Sequence, residues 1–470
     1  MRAPRSFFRL LGALALVALA LATPTLGASR MWIGFQDDPN LRWNDHRPSA
    51  REQTVAEHAT MLRTWVYWPY VAPTEPADAT DSFDPAYNFK DLDEFIRQAQ
   101  IHGQEILLTL WGTPNWANDG KGTNRLPTNI GAFRQFAYAV ANRYDGHDPG
   151  FPFVRFYSIW NEPNLGQFLS PQFAGKQSVG PKLYAQLYRA GYAGVKAASP
   201  TALVAIGETS PRGHDKHTAG IQDSHSPGRF AELLAKQKPA LKFDAWAHHP
   251  YVPLGVAPLA PARYPNVTLS DLGLFETNLR SYFHRKAVPI WITEYAHETK
   301  PDEPKGVTYA QQATYAQLAL KTAAALPDVQ MFVWFVLRDD PTSTWQSGFI
   351  KENGTLKPGF SAFSRSAAGL DARNAVFSVA AGVPVGNLRF GVRELAVHMT
   401  KTETVGISYQ IFDKGRVVAS GAPAPVIGFD DWVTFRPTLT PVRKHTYVIK
   451  ITAGNIHGDY TNRVLTLITK

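Results

Sequence analysis

Hydrophobic and polar positions follow two alternating rhythms over residues 31–368. Short apolar runs, rich in β-branched and aromatic residues, are separated by longer segments in which apolar residues recur every three or four positions. The short runs are typical of buried strands, and the longer segments are typical of helices with one apolar face. The predicted strands are 31–35, 62–67, 105–110, 153–159, 202–207, 243–247, 289–293 and 330–335, and the predicted helices include 91–102, 130–144, 181–198, 228–235, 272–286 and 309–325.

Eight strands separated by helices are the count of a closed (β/α)8 barrel, the TIM barrel. The segment Lys357-Pro-Gly-Phe-Ser-Ala-Phe fits a last helix that packs back on such a barrel. We therefore predict an α/β domain with this architecture over residues 29–368.

From about residue 369 the helical rhythm disappears and strict alternation takes over. The alternating segments are 388–397, 405–412, 432–435, 446–451 and 463–468, and Asp413-Lys-Gly415 is a hairpin-turn signal. These features predict a small all-β, immunoglobulin-like sandwich over residues 369–470. Because it holds one of the twelve tryptophans, a spacer role is favoured over sugar binding.

The N-terminus has the pattern of a secretory signal peptide over residues 1–28. Three arginines precede an apolar stretch at 10–22, which is too short for a comfortable membrane span, and small residues follow it. An uncleaved anchor is the alternative. We expect a secreted, periplasmic or envelope-associated protein that has no membrane segment after cleavage.

Composition narrows the chemistry further. The chain has no cysteine, which excludes disulfides, cysteine nucleophiles and Cys-ligated zinc. Without the three arginines of the predicted signal, the formal net charge falls from +9 to +6. No run of basic residues marks a nucleic-acid partner, and no Gly-rich phosphate loop marks a nucleotide, so we expect no cofactor.

Two glutamates end two of the predicted strands. Strand four runs into Ile159-Trp160-Asn161-Glu162-Pro163, and strand seven runs into Trp291-Ile292-Thr293-Glu294. Active groups of such barrels project from the carboxyl ends of the strands, so both side chains should meet over one cleft. Glycosidic bond cleavage needs two carboxyl groups with separate roles, one protonated and one ionised. Taken singly, each glutamate could also be an ordinary salt-bridged or exposed residue at a strand end.

These strand ends resemble those of the clan A glycoside hydrolases, which are retaining enzymes on a (β/α)8 barrel. In that clan the Asn-Glu pair after strand four carries the acid/base and the glutamate after strand seven is the nucleophile. The resemblance covers most of residues 31–368, although it is specific at the strand ends alone. Six features match in chain order, with the Asn-Glu pair counted as one: Arg63, Asn161-Glu162, His249, Tyr251, Glu294 and Trp334.

The resemblance implies a role for each matched residue. Glu162 is the acid/base, with a pKa raised by the charge of Glu294, the nucleophile. Arg63 and Tyr251 keep Glu294 ionised. The expected substrate-binding residues are Arg63, Trp111, Asn161, His249, Tyr251 and Trp334. Among them, Asn161 binds a sugar hydroxyl, His249 binds the same ring, and Trp334 forms the floor of the sugar site. A buried core histidine is the alternative for His249.

One departure concerns strand three. Many cellulase-like members of family 5 have a histidine after it, whereas this chain has Leu110-Trp111-Gly-Thr-Pro114. That difference favours a family 39-like or unclassified branch over family 5. Trp111 becomes a candidate for stacking on a sugar face.

Two other functions stay open from the residues. His214 and His217, in a loop after strand five, could serve a metal-dependent hydrolase. A barrel that kept the groove without catalysis would be a glycan-binding protein, although it would have no use for paired glutamates. We favour a retaining glycosidase that cleaves β-linked oligo- or polysaccharides.

Overall fold

The computed structural model describes residues 31–372, apart from 45–46, 102–103, 147–150, 152 and 344. Beyond these it describes 385–391, 394–399, 403–422, 426–428, 431–435, 439, 442, 445–455 and 460–468. The predicted signal peptide lies outside the described residues. Among the described residues, no helix is both long and apolar enough to cross a bilayer.

Eight parallel strands close into a barrel, which confirms the predicted fold class. They are β1 Trp32–Gln36, β2 Met61–Tyr67, β3 Glu105–Trp111, β4 Phe156–Ile159, β5 Leu203–Thr209, β6 Ala245–His248, β7 Ile290–Tyr295 and β8 Val329–Phe335. Each strand pairs with its neighbour in chain order, and β8 closes the ring on β1.

A helix follows each strand within the described residues. They are α1 Arg47–Ala56, α2 Lys90–Ile101, α3 Ile130–Arg143, α4 Gly180–Ala198, α5 Pro227–Ala235, α6 Leu272–Phe283, α7 Tyr309–Ala325 and α8 Pro358–Ala372. The sequence pattern had no helix at α1, because that segment has few apolar residues. Shorter helices lie at Pro39–Trp43, Trp68–Val71, Asn115–Asn118 and Leu269–Asp271, and a small hairpin pairs Phe173–Ala174 with Gln177–Ser178.

The barrel interior is layered because alternate side chains of a strand point to the same face. An apolar layer closes the bottom, where the rings of Trp32 and Trp291 meet Phe156 at 5.3 and 5.4 Å between centroids. Two residues beyond Met61 on β2 and Trp291 on β7, the interior side chains are the polar ones of Arg63 and Thr293. A polar layer at the mouth of the barrel therefore lies directly above the apolar layer.

The C-terminal part is antiparallel and all-β, as predicted. Its strands are β9 Val385–Gly391, β10 Glu394–Met399, β11 Glu403–Asp413, β12 Arg416–Gly421, β13 Val426–Gly428, β14 Asp431–Phe435, β15 Thr446–Asn455 and β16 Tyr460–Ile468. One sheet has the order β9-β10-β14, and the other has the order β12-β11-β15-β16 with β13 beside β11.

Two details of this part compare directly with the sequence pattern. The predicted hairpin turn is confirmed, with Lys414 and Gly415 at φ 48° and 80° between β11 and β12. The alternating segment 388–397 is not one strand, because β9 and β10 share it and pair antiparallel. The domain boundary near residue 369 stays a prediction, since 373–384 lie outside the described part.

Candidate active site

Glu162 and Glu294 meet over the barrel mouth, as the strand-end argument predicted. A carboxylate oxygen of one lies within 4.8 Å of a carboxylate oxygen of the other. Retaining glycosidases hold their carboxyl groups about 5–5.5 Å apart, whereas inverting ones leave about 6.5–9.5 Å for a water. The separation is therefore closer to that of retaining enzymes than to that of inverting ones, and it fits a nucleophile beside an acid/base.

The backbone around Glu162 turns sharply to present this side chain. Trp160 and Glu162 have φ values of 72° and 38°, in the left-handed region that residues other than glycine rarely adopt. The Trp160 indole is buried and donates to the Phe168 carbonyl at 2.7 Å, which anchors the turn. Strained residues of this kind cluster at functional sites.

Arg63 of β2 is fully buried beneath the two glutamates. Its Nη1 donates to Glu294 Oε1 at 2.5 Å and its Nη2 donates to Asn161 Oδ1 at 3.1 Å. Tyr251 donates its hydroxyl to the other oxygen of Glu294 at 3.0 Å. Glu294 thus receives a hydrogen bond on each oxygen, which is the pairing that the resemblance implied.

A third carboxylate, Glu208, lies in the same cluster and was missed by the sequence argument. It is fully buried and its Oε2 accepts hydrogen bonds from His249 Nε2 at 2.8 Å, Thr293 Oγ1 at 2.8 Å and Arg63 Nη2 at 3.2 Å. The predicted strand five stopped at Gly207, whereas β5 continues to Thr209. A carboxylate directly after an apolar run was the signal, as it was for Glu162 and Glu294.

His249 lies between two of these carboxylates. Its Nδ1 is 3.0 Å from Glu162 Oε1 and its Nε2 faces Glu208, and the ring is fully buried. His249 and Arg63 therefore position carboxylates and do not offer a surface to a sugar, which corrects the expectation that they bind substrate. We call Arg63, Glu162, Glu208, His249 and Glu294 the charged cluster.

The cluster sets the protonation states of its members. Burial alone would lower the pKa of His249, but the charge of Glu294 and the hydrogen bonds to Glu162 and Glu208 raise it to about 10. Burial opposes ionisation of Glu208 as well, yet the charge of Arg63 and the His249 hydrogen bond lower its pKa to about 2. At neutral pH the imidazolium and this carboxylate are both charged.

Glu162 has a raised pKa, as a general acid requires. Burial is the largest cause, the hydrogen bond from His249 acts against it, and the negative charge of Glu294 adds to the rise. The sequence argument named the repulsion from Glu294 as the cause, and burial is the larger one.

The neighbouring histidine points elsewhere. His248 bonds Thr209 Oγ1 at 2.8 Å and the Val267 carbonyl at 3.1 Å in the barrel wall, and burial lowers its pKa to about 3. Successive residues of an extended chain face opposite sides, which is why His249 alone enters the cluster.

Trp334 does not lie in the cleft, which corrects the sequence prediction. It is fully buried, stacks on Phe349 with centroids 4.5 Å apart and donates Nε1 to the Ser347 carbonyl at 3.0 Å. Val333, its neighbour on β8, belongs to the barrel interior, so Trp334 faces outward toward the helices. Phe335 and Trp345 are the partly exposed aromatic residues near this edge, and the Trp345 ring lies 5.3 Å from that of Tyr251.

Trp111 is placed where a sugar ring could reach it. It ends β3, is partly exposed and packs against Tyr67 and Trp65 at 4.8 and 5.4 Å between centroids. These rings line a hollow of about 840 Å³ together with Trp43 and Tyr70, which are 51% and 47% exposed. We call these five residues the aromatic hollow.

The histidines proposed for a metal site are not assembled into one. His217 is exposed and bonds Asp223 at 2.8 Å, and His214 donates its backbone N–H to Ser224. The three metal-capable side chains found together among the described residues are instead Glu162, His249 and Glu294. Both ring nitrogens of His249 face carboxylates, whereas a histidine ligand must present a free lone pair, so the donor set does not fit a metal.

Comparisons with known proteins agree with this geometry. The family model described as Cellulase (glycosyl hydrolase family 5) matches residues 31–336, which is more than half of the chain. No curated protein matches the chain in sequence.

Solved structures share the fold at low sequence identity. A family 39 glycoside hydrolase from the gut symbiont Bacteroides cellulosilyticus WH2 is 17% identical with a TM-score of 0.51, covering 87% of this chain and 81% of that one. A glucosidase from Croceicoccus marinus is 13% identical with a TM-score of 0.55, covering 91% and 96%. The GH39 enzyme from Xanthomonas axonopodis pv. citri is 13% identical with a TM-score of 0.50, covering 94% of each chain.

The missing histidine after strand three therefore does not separate the chain from family 5, although it favoured another branch. The catalytic pair predicted from the strand ends lies in a clan A barrel, and the family model extends over the segment that carries it. The chain is a glycosidase that belongs to the cellulase family, glycosyl hydrolase family 5.

Proposed function

We propose that the protein hydrolyses β-linked oligo- or polysaccharides by double displacement, with Glu294 as nucleophile and Glu162 as acid/base. The observation that carries this proposal is the approach of the two carboxylates to within 4.8 Å. Glu294 receives one hydrogen bond on each oxygen, and Glu162 has a raised pKa because it is buried.

The first step breaks the glycosidic bond. A carboxylate oxygen of Glu294 attacks the anomeric carbon, while the electron pair of the breaking bond moves to the leaving oxygen and Glu162 gives that oxygen its proton. The Oδ1 of Asn161 accepts from Arg63, so its amide N–H groups are the ones that can donate to a sugar hydroxyl.

The second step returns the enzyme to its starting state. Glu162, now ionised, takes a proton from a water, and the water oxygen attacks the anomeric carbon and releases Glu294. Both steps invert at the same carbon, so the sugar leaves with its original configuration.

The aromatic hollow supports a substrate longer than one sugar. On β2 the side chains of Arg63, Trp65 and Tyr67 share one face, so the hollow continues upward from the charged cluster. Flat rings with donors at their edges suit sugar rings, which have apolar faces and hydroxyl rims. The exposed faces of Trp43 and Tyr70 are the surface of the hollow that a sugar ring can cover.

Product analysis on a panel of β-linked glycans and aryl glycosides tests the proposal. We expect release of a sugar whose first-formed anomer has the configuration of the substrate. Proton NMR spectra recorded before mutarotation identify that anomer. An inverted first product would contradict double displacement, and no turnover of any glycoside would contradict the proposed substrates.

Export is proposed from the first 28 residues, whose basic start and apolar stretch are typical of a signal peptide. Expression of the full chain with N-terminal sequencing of the mature product tests this. Processing near Ala28 is the expected result, and a full-length protein retained in the cytoplasm would contradict it.

A further inference from the structure

Glu208 reaches the charged cluster through an irregularity of β5. Gly207 pairs with Ala247 and Thr209 pairs with His248, so Glu208 is an extra residue on β5. Such a bulge re-aims the side chain, and Glu208 has a φ of 48°, in the same left-handed region as Glu162. The backbone is thus bent at the place where this carboxylate turns into the barrel.

The contacts of Glu208 lead to the acid/base and not to the cleft. The residue is fully buried, so a substrate cannot touch it. His249 joins it to Glu162, with 2.8 Å from Nε2 to Glu208 and 3.0 Å from Nδ1 to Glu162. The three side chains form one line of hydrogen bonds from β5 to the loop after β4.

We propose that Glu208 is a positioning residue for Glu162: by accepting the Nε2–H of His249, it keeps that ring doubly protonated and donating from Nδ1 to Glu162 Oε1. The catalytic proton of Glu162 is then held on its other oxygen. This inference rests on the proposed function, because it assigns a task to a neighbour of the proposed acid/base.

Charge balance supports this arrangement. With Glu162 protonated, the carboxylates of Glu208 and Glu294 balance the cations of Arg63 and His249. After the first step Glu162 has lost its proton to the leaving oxygen and Glu294 has become an ester, so the cluster is neutral again. A buried group of charges that keeps its net charge through the reaction avoids the cost of a bare charge in the interior.

The charged and titratable groups around His249 come from several strands. Glu162 faces it from the end of β4, Glu208 from β5 and Glu294 from β7, where an oxygen lies 3.5 Å from Nδ1. Arg63 of β2 lies behind the carboxylates. His248 and Tyr251 are neighbours of His249 along the chain. Removing the charge of Glu208 leaves a cluster with one excess positive charge, and loss of the His249 proton would restore neutrality.

A neutral His249 would disturb the general acid. Its Nδ1 would carry a lone pair and accept the proton of Glu162, which would turn that proton away from the leaving oxygen. Substrates with poor leaving groups need that proton, whereas those with good leaving groups do not.

The test replaces Glu208 by glutamine in the full chain, with Glu57→Gln as a matched control. Glu57 is also fully buried, outside the cluster, and burial raises its pKa to about 9, so an amide replaces a neutral acid there. The first readout is the nitrogen-15 signal of the His249 ring, assigned by its loss in His249→Gln and followed against pH.

In the parent chain and in Glu57→Gln the ring should stay an imidazolium until the pH nears its pKa of about 10. In Glu208→Gln that transition should fall by at least about one pH unit. Turnover of a substrate with a poor leaving group should fall about 10- to 100-fold at nearly unchanged KM, with a smaller loss on an activated aryl glycoside.

Glu208→Asp keeps the charge and shortens the side chain, so it should retain the imidazolium even if the glutamine variant does not fold. An unchanged His249 titration in Glu208→Gln, or a neutral ring at pH 8 in Glu208→Asp, would overturn the inference. Absence of glycosidase activity in the parent chain would overturn the proposed function instead, while the titration would still judge the role of Glu208.

Discussion

The two sides of the barrel mouth are built on opposite principles, although β2 contributes to both. In the charged cluster every side chain has a charged or hydrogen-bonded partner, and Arg63, Glu208 and His249 are fully buried. In the aromatic hollow Trp43 and Tyr70 are about half exposed, and the Trp65 and Trp111 N–H groups find no acceptor within the described residues. The proposed catalytic groups thus hold one another in place before substrate arrives, whereas the hollow presents exposed ring faces to a ligand.

Removing the nucleophile should give the largest effect. Glu294→Ala should reduce turnover at least about 10⁴-fold, because it removes the carboxylate that forms the proposed covalent intermediate. Azide should restore part of the rate and yield a glycosyl azide of inverted configuration, identified by NMR. Glu276→Ala, at a buried glutamate of α6 outside the barrel, is the control, and activity equal to this control in Glu294→Ala would place the chemistry elsewhere.

Removing the acid/base should cost about 10²- to 10⁴-fold on natural glycans. Activated aryl glycosides should lose far less in their first step, because they need no proton. Since the folded-state pKa of Glu162 is raised, parent activity should fall as the pH rises through it, and this alkaline limb should be missing in Glu162→Ala. Equal losses on both substrate types would argue against Glu162 as the acid.

These two residues were within reach of sequence reasoning, and the reason is local. Each lies at the carboxyl end of an apolar strand, so the barrel rule alone places both at the same mouth. Glu208 obeys the same rule, but the sequence pattern ended β5 at Gly207 and could not show the bulge that turns the next side chain inward.

The prediction that Trp334 forms the floor of the sugar site was wrong for a different reason. Its place in the chain matches the family pattern, but its side chain lies on the other face of the strand. Met331 and Val333 face the barrel interior, which leaves Trp334 on the helix side. Counting alternate residues from the apolar layer would have indicated this. The burial of His249 depended on three other strands, and no count along one strand could give it.

Trp334 and Trp345 therefore form a pair that separates core from cleft. Trp334→Ala should lower the free energy of unfolding by about 3–5 kcal/mol, because it leaves a cavity beside Phe349 and Phe363. Its remaining folded fraction should keep the parent KM. Trp345→Ala, at a partly exposed ring beside Tyr251, should instead raise KM with little loss of stability. Denaturant titration and steady-state kinetics on both variants check this. A raised KM in a stable Trp334→Ala, or a parent KM in an unstable Trp345→Ala, would contradict the assignment.

The smallest effect belongs to the hollow, and it should depend on substrate length. A stacked ring contributes about 0.5–1.5 kcal/mol, so Trp43→Ala should raise KM roughly 2- to 12-fold on an oligosaccharide long enough to reach it. An aryl monoglycoside, bound at the charged cluster alone, should show no change. Phe83→Ala is the matched control, because Phe83 is 61% exposed but packs on Phe151 and Arg143. A rise in KM on the monoglycoside as well would mean that Trp43 supports the charged cluster, and that the two sides of the mouth are coupled.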